Sequence, residues 1–257
     1  MPRPPYRGLM VGRALTIAFD ARDPERLARF WAGMLGREVV PDVVGRRLPA
    51  DTSASVGLRF VESGSQKAGP PRLHLHLTSA SVVDQQRTVA KALALGATHL
   101  DVGQLPEEGH VVLADPEGNP LCVIEPGNSF LAGCGFLGEV ACDGTREVGL
   151  FWSAALDWPL VWDHEGETAV QSPAGGTKVA WGGPPVAPKM ARNRQRLEFG
   201  CAAGQVGTEV DRLVALGATP LEVGRDAAEL ADPDGNEFLV VADPAFGTMP
   251  HRPLRAH

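Results

Sequence analysis

The chain has 257 residues, four cysteines and a formal net charge of −7, a length that suits about two domains of ordinary size, each able to bury a core. The acidic balance, with a pI near 5.5, argues against nucleic acid as a partner, because phosphate recognition needs concentrated Lys and Arg. No apolar run reaches the roughly 20 residues of a membrane span, and MPRPPYRGLMVGR lacks the apolar stretch of a signal peptide, so a cytoplasmic protein with no membrane partner is expected.

After a tail, 1–13, residues 14–20 (ALTIAFD) read as a strand, and Asp23-Pro24-Glu25 supplies an N-cap, a first-turn proline and an acidic first turn. A helix therefore starts there. Leu27, Phe30, Trp31, Met34 and Leu35 recur at helical spacing, and Gly36 stands where a left-handed cap is wanted. A second unit opens with Arg72–Thr78 (RLHLHLT), a strict period-two strand in which Leu73, Leu75 and Leu77 share one face and His74, His76 and Thr78 the other. A helix from about Val82 to Leu95, closed by Gly96, leads to a strand and a hairpin turn, LADPEGN at Leu113–Asn119. Asp opens that turn, Pro fixes φ and Gly accepts positive φ, so the motif specifies fold rather than chemistry.

Gly-rich Pro126–Gly135 joins this half to a second copy of itself. Phe151-Trp152 repeats Phe30-Trp31, and Leu216-Gly217-Ala218-Thr219 repeats Leu95-Gly96-Ala97-Thr98, both offset by 121 (151 − 30; 216 − 95). LADPDGN at Leu230–Asn236 repeats the turn at an offset of 117 (232 − 115). A period this long is a duplicated domain, since solenoid repeats run roughly 20–50 residues. The third unit carries Val148, Phe151, Trp152, Ala155 and Leu156 on one helical stripe. After the loop Gly183–Asn193, the fourth opens with the strand Arg196–Cys201 and continues with Val206, Val210, Leu213 and Val214 before Gly217. The expected organisation is a tail 1–13, domain 14–126, linker 127–135, domain 136–243 and a frayed basic tail 244–257. Cys122, Cys134, Cys142 and Cys201 form no CxxC pair, and Cys122 and Cys201 sit in apolar strand-like runs where a free thiol behaves as a small hydrophobe.

The four βαβββ-like units, the helix ending FW…LG, the RLHL strand, the LGAT helix end and the hairpin ADPEGN…CVIE resemble the vicinal oxygen chelate superfamily, in its glyoxalase-like and bleomycin-resistance-like branch. The resemblance covers about 14–125 and 136–242. It implies an α+β fold of tandem glyoxalase-like domains, four βαβββ units forming two curled antiparallel-sheet cups with helices outside, each cup holding a small molecule, in a monomer or homodimer. It also implies a divalent ion held by His, Gln or Glu from the first and fourth strands of the units. Those first-strand positions fall here at Thr16, His74, Leu137 and Glu198, and the carboxylate position three residues after the turn's Asn falls at Cys122 and Leu239. No complete ligand set results, so no metal is expected; an irregular site from His74, His76 and Glu125, near Glu62, is the alternative.

With the leucines of RLHLHLT under the helices, His74, His76 and Thr16 face the cup of the N-terminal half. Glu139 and Glu198 face that of the C-terminal half, where they share a proton, or one acts as a base with a raised pKa, or either pairs with Arg194 or Arg196 or lies at the rim. The second half has only His164, His251 and His257, which argues against the two-His-one-carboxylate site of an extradiol dioxygenase. Trp31 and Trp152 belong to the core, whereas Trp158, Trp162 and Trp181 are able to floor an apolar pocket. Two readings follow. One is a metal-independent protein that binds a hydrophobic or aromatic metabolite or antibiotic, contacted by Thr16, Cys122, Glu139, Glu198 and Trp181. The other is a lyase, isomerase or hydrolase on a similar molecule, with His74 as general acid or base and His76 or Asp20 assisting.

Overall fold

The computed structural model describes residues 15–52, 54–65, 69–105 and 107–243; the expected tails, 1–13 and 244–257, lie outside these. Each unit has the same element order. Unit one comprises β1 (Leu15–Ala21), α1 (Pro24–Leu35), β2 (Val40–Asp42), β3 (Gly45–Leu48) and β4 (Gly57–Glu62). Unit two comprises β5 (Leu73–Leu77), α2 (Val82–Ala94), β6 (Thr98–His99), β7 (Val111–Ala114) and β8 (Pro120–Val123). Unit three comprises β9 (Leu137–Cys142), α3 (Arg146–Leu156), β10 (Leu160–His164), β11 (Glu167–Gln171) and β12 (Lys178–Trp181). Unit four comprises β13 (Gln195–Cys201), α4 (Val206–Leu216), β14 (Thr219–Val223), β15 (Ala227–Ala231) and β16 (Glu237–Ala242).

Helix α1 begins and ends where its local sequence places the caps. Asp23 Oδ1 accepts from Arg26 N at 2.9 Å, Pro24 fills the first turn of α1, and Gly36 closes it in the left-handed region at φ 67°. In α3 that left-handed position falls to Asp157, at φ 56°. Among the described residues no helix is long and apolar enough to cross a membrane.

The strands form two eight-stranded sheets, ordered β14-β15-β16-β13-β1-β4-β3-β2 and β10-β11-β12-β9-β5-β8-β7-β6. The first, here the terminal sheet, joins units one and four; the second, the middle sheet, joins units two and three. Each sheet therefore crosses between the two halves, and neither half closes a cup by itself, contrary to the sequence expectation. The sheets are also mixed rather than antiparallel. Within each unit the first strand pairs parallel with the last, as β5 does with β8, and the seams between units, β1 with β13 and β5 with β9, are antiparallel.

What holds the two units of one half together is the pair of repeated motifs. Trp31 Nε1 donates to Asp115 Oδ2 of the LADPEGN turn at 3.3 Å, and Trp152 Nε1 to Asp232 Oδ2 of LADPDGN at 3.5 Å. Asp115 also accepts from the backbone N–H of Glu117 and Asn119, both at 2.9 Å, and from Asn119 Nδ2 at 3.0 Å. The variable residue of each turn reaches the helix start of the neighbouring unit: Glu117 accepts from the backbone N–H of Arg22 and Asp23, and Asp234 from the backbone N–H and hydroxyl of Thr145. FW and LADPxGN are thus two halves of one contact. A single apolar core joins both sheets and all four helices, with Leu15, Ile17 and Phe19 of β1 and Leu73, Leu75 and Leu77 of β5 turned into it.

Candidate active site in the middle sheet

Strand alternation puts His74 and His76 on the face of β5 that points away from the core. Because β5 lies between β8 and β9, His76 has a cross-strand neighbour on each side: Cys122 in β8 and Glu139 in β9. His76 Nδ1 meets Glu139 Oε2 at 2.6 Å, with both side chains largely buried. The His74 and His76 rings are 4.7 Å apart between centroids. Ligand atoms of His74, His76 and Cys122 all lie within 4.8 Å of one another. Over this floor stands a cavity of about 320 Å³, completed by His110, Ile124, Glu125, Asn128, Phe130 and Leu131. A second crevice, between the connectors 69–72 and 187–195, measures only about 50 Å³, room for a water or two.

The two imidazoles hold opposite charge states. Burial, together with the nearby His76 and His110, pushes His74 down to about 4. Burial would also lower His76, but hydrogen bonds and charge from Cys122 and Glu139 outweigh it and raise the ring to about 9. Near neutral pH, His74 is neutral with a lone pair to offer, and His76 is a cation paired with Glu139.

The sequence matches a model of the glyoxalase-like domain over residues 16–124 and again over 139–241, most of the chain. The chain belongs to the glyoxalase-like family. No curated protein matches it. Among solved structures, glyoxalase I from Zea mays superposes with a TM-score of 0.63 at 14% identity, over 90% of this chain and 92% of that one. A putative dioxygenase from Bacillus subtilis superposes with a TM-score of 0.56 at 12% identity, over 91% of this chain and 86% of that one. At such identities these two establish the fold, a tandem glyoxalase-like α+β architecture, and nothing of the activity.

Within this glyoxalase-like frame the expected site residues separate into two groups. The middle sheet gathers His74, His76, Cys122 and Glu139. Glu125 lines the same cavity but is engaged with Asn128 Nδ2 at 3.0 Å, so the third member of the tight cluster is Cys122. Glu139 joins the histidines of the other half because β9 pairs with β5, a contact that a half-by-half reading cannot produce. Across the seam two histidines and a carboxylate do meet, with Glu139 committed to His76 Nδ1.

Thr16, Asp20 and Glu198 lie in the terminal sheet, away from His74. Thr16 pairs in register with Glu198. Asp20 receives Arg196 Nη2 at 2.7 Å and Arg192 Nη1 at 3.2 Å, a pairing that leaves it no part beside His74 or His76. Glu198 meets Arg59 Nη1 at 2.7 Å, and Arg59 Nη2 reaches Asp42 at 3.2 Å. Burial raises the Glu198 carboxyl, with Arg59 opposing that rise. Glu198 and Glu139 are thus in different sheets and share no proton. Trp181 is not a pocket floor: it is buried in the core and stacks on Trp152 at 6.4 Å and 12°. Sequence reasoning missed His110 and the cavity wall from Asn128, Phe130 and Leu131, because it treated 127–135 as a passive linker. The apolar pair Phe130-Leu131 inside that Gly-rich stretch was the available signal.

Proposed function

We propose that this glyoxalase-like protein binds a small, partly apolar molecule, a hydrophobic or aromatic metabolite or antibiotic, in the middle-sheet cavity and acts on it through the His74–His76–Cys122–Glu139 floor. The observation that carries this reading is the His76–Glu139 contact of 2.6 Å beside His74 and Cys122, at the base of a cavity of about 320 Å³. Cavities of this kind, mostly apolar with a few convergent polar groups and perturbed ionisation, are where small molecules bind and react. On the terminal sheet the corresponding face carries ion pairs among Asp20, Arg196, Glu198 and Arg59 instead.

The superfamily resemblance implies a divalent ion, and the donor set fits one. Two imidazole nitrogens and a thiol sulfur suit a borderline-soft ion such as zinc, with three protein ligands and one position open. Glu139 on Nδ1 of His76 is the outer carboxylate that orients a ligating imidazole, and Nε2 is the nitrogen that would take the ion. When bound, the ion would supply a Lewis acid at the cavity floor. In the ion-free protein His74, neutral and lining the cavity, is instead the group that accepts a proton or hydrogen bond from the bound molecule, work worth about 10²–10⁴ in rate for a positioned general base.

A second reading is favoured by His76 bridging Cys122 and Glu139. With no ion, a thiol, an imidazole and an orienting carboxylate in a row form the arrangement that activates a nucleophilic cysteine. All four cysteines are free, which suits the reducing cytoplasm, where we place the protein.

Zinc uptake by chelator-treated protein, measured by mass spectrometry of the metal, tests the first reading. About one zinc per chain, lost in His76→Ala and Cys122→Ser, supports it. No uptake, together with selective alkylation of Cys122 by iodoacetamide that Glu139→Gln slows, selects the second. No uptake and an inert Cys122 overturn both.

A further inference from the structure

The cavity has two chemically different sides. His74, His76, Cys122 and Glu139 make a polar floor, whereas Ile124, Phe130 and Leu131 make an apolar wall, part of a small cluster separate from the main core. Two of those three wall residues come from the segment that joins the halves. Phe130 is held from several directions. Lys178 Nζ donates to the Phe130 carbonyl and also sits 4.4 Å from its ring centroid. Trp162 meets the same ring edge-on, at 5.7 Å and 87°. Trp162 is itself 41% exposed, so its indole braces Phe130 at the cost of leaving much of its apolar surface in water. A connector residue fixed this firmly, with its ring lining the cavity, presents a defined surface to whatever enters.

We propose that Phe130 is the specificity-determining residue of this site and selects a single-ring aromatic molecule. The ring of that molecule packs on Ile124, Phe130 and Leu131 while an oxygen-bearing substituent reaches the His74–His76–Cys122 floor. The proposal rests on placing the ligand in this cavity. A volume of about 320 Å³ falls within the roughly 300–1,000 Å³ typical of small-molecule sites and has room for a substituted ring between the apolar wall and the polar floor. Lys178 and Trp162 are positioning residues that act through Phe130.

Equilibrium dialysis with 4-nitrophenol, a single ring with one phenolic oxygen, tests this on the full chain, with cyclohexanol as a non-aromatic competitor. The expected result is saturable binding that cyclohexanol displaces poorly and that Phe130→Leu weakens about three- to tenfold, the usual worth of an aromatic pair beyond its buried area. Phe130→Leu keeps most of the bulk and so the fold, and Trp162→Ala should give a smaller loss in the same direction. Zinc uptake in the same samples reports the floor independently. Unchanged zinc uptake with weakened 4-nitrophenol binding supports the proposal. No saturable 4-nitrophenol binding to the wild type, or equal binding to Phe130→Leu, overturns it even where zinc binds. Phe130-dependent binding in a protein that takes up no zinc leaves this proposal standing and removes the metal reading.

Discussion

The His76–Glu139 pair ties the stability of the protein to pH in a direction and a window that can be worked out. An unfolded histidine titrates near 6.5, and in the fold His76 is raised to about 9, a gap of about 2.5 (9 − 6.5). At about 1.36 kcal/mol for each tenfold change, the site holds its proton with about 3 kcal/mol of extra stabilisation, an upper bound because Cys122 shares in it. A raised pKa means that the folded state binds the proton more tightly. The contribution is therefore fully present below about pH 6.5 and is lost as the pH rises through 9. Glu139→Gln keeps the shape and removes the charge, and should lower stability by about 1–2 kcal/mol at pH 6, with no difference left at pH 10. Urea denaturation of chelator-treated wild type and variant, at several pH values from 6 to 10 and with equal m-values, measures this. A gap that stays constant across the range, or a variant more stable at pH 6, would refute the assignment of His76 as a cation held by Glu139.

Asp115→Ala strands four donors, Trp31 Nε1, Asn119 Nδ2 and the backbone N–H groups of Glu117 and Asn119, and should cost about 2–4 kcal/mol by thermal or chemical unfolding, whereas Asp232→Ala should cost less because its side-chain bonds to Trp152 and Asn236 are longer, at 3.5 and 3.3 Å. Arg59→Met leaves Glu198 buried without its cation and should destabilise by about 3–5 kcal/mol while zinc uptake by the folded fraction stays unchanged. A loss of zinc uptake in folded Arg59→Met would show that the terminal sheet takes part in the site.

Local chemistry was legible in the amino-acid sequence because it depends on neighbours a few residues away. Asp23-Pro24-Glu25 and Gly36 set the ends of α1, the RLHLHLT alternation put both histidines on the face opposite the leucines, and the repeated FW, LGAT and LADPxGN marked a duplicated domain. Cys122 was visible as well, at the position where the superfamily carries a carboxylate, but as an isolated strand residue it read as a replacement for a ligand rather than as a neighbour of His76. What no sequence pattern contained was which copy pairs with which. Four units with the same element order offer equivalent first strands, so periodicity and register are satisfied equally well whether unit two joins unit one or unit three. Packing of the whole chain decides between them: the units of one half meet through the common apolar core and the Trp31–Asp115 and Trp152–Asp232 contacts, while their first strands pair across halves. That choice brings Glu139 to His76, sends Thr16, Asp20 and Glu198 to the other sheet, and folds Phe130 over the cavity. The histidines, Cys122 and Glu139 of the floor were visible one by one as strand residues, whereas His110, the wall of Asn128, Phe130 and Leu131, and the assembly of all of them were decided by the tertiary structure.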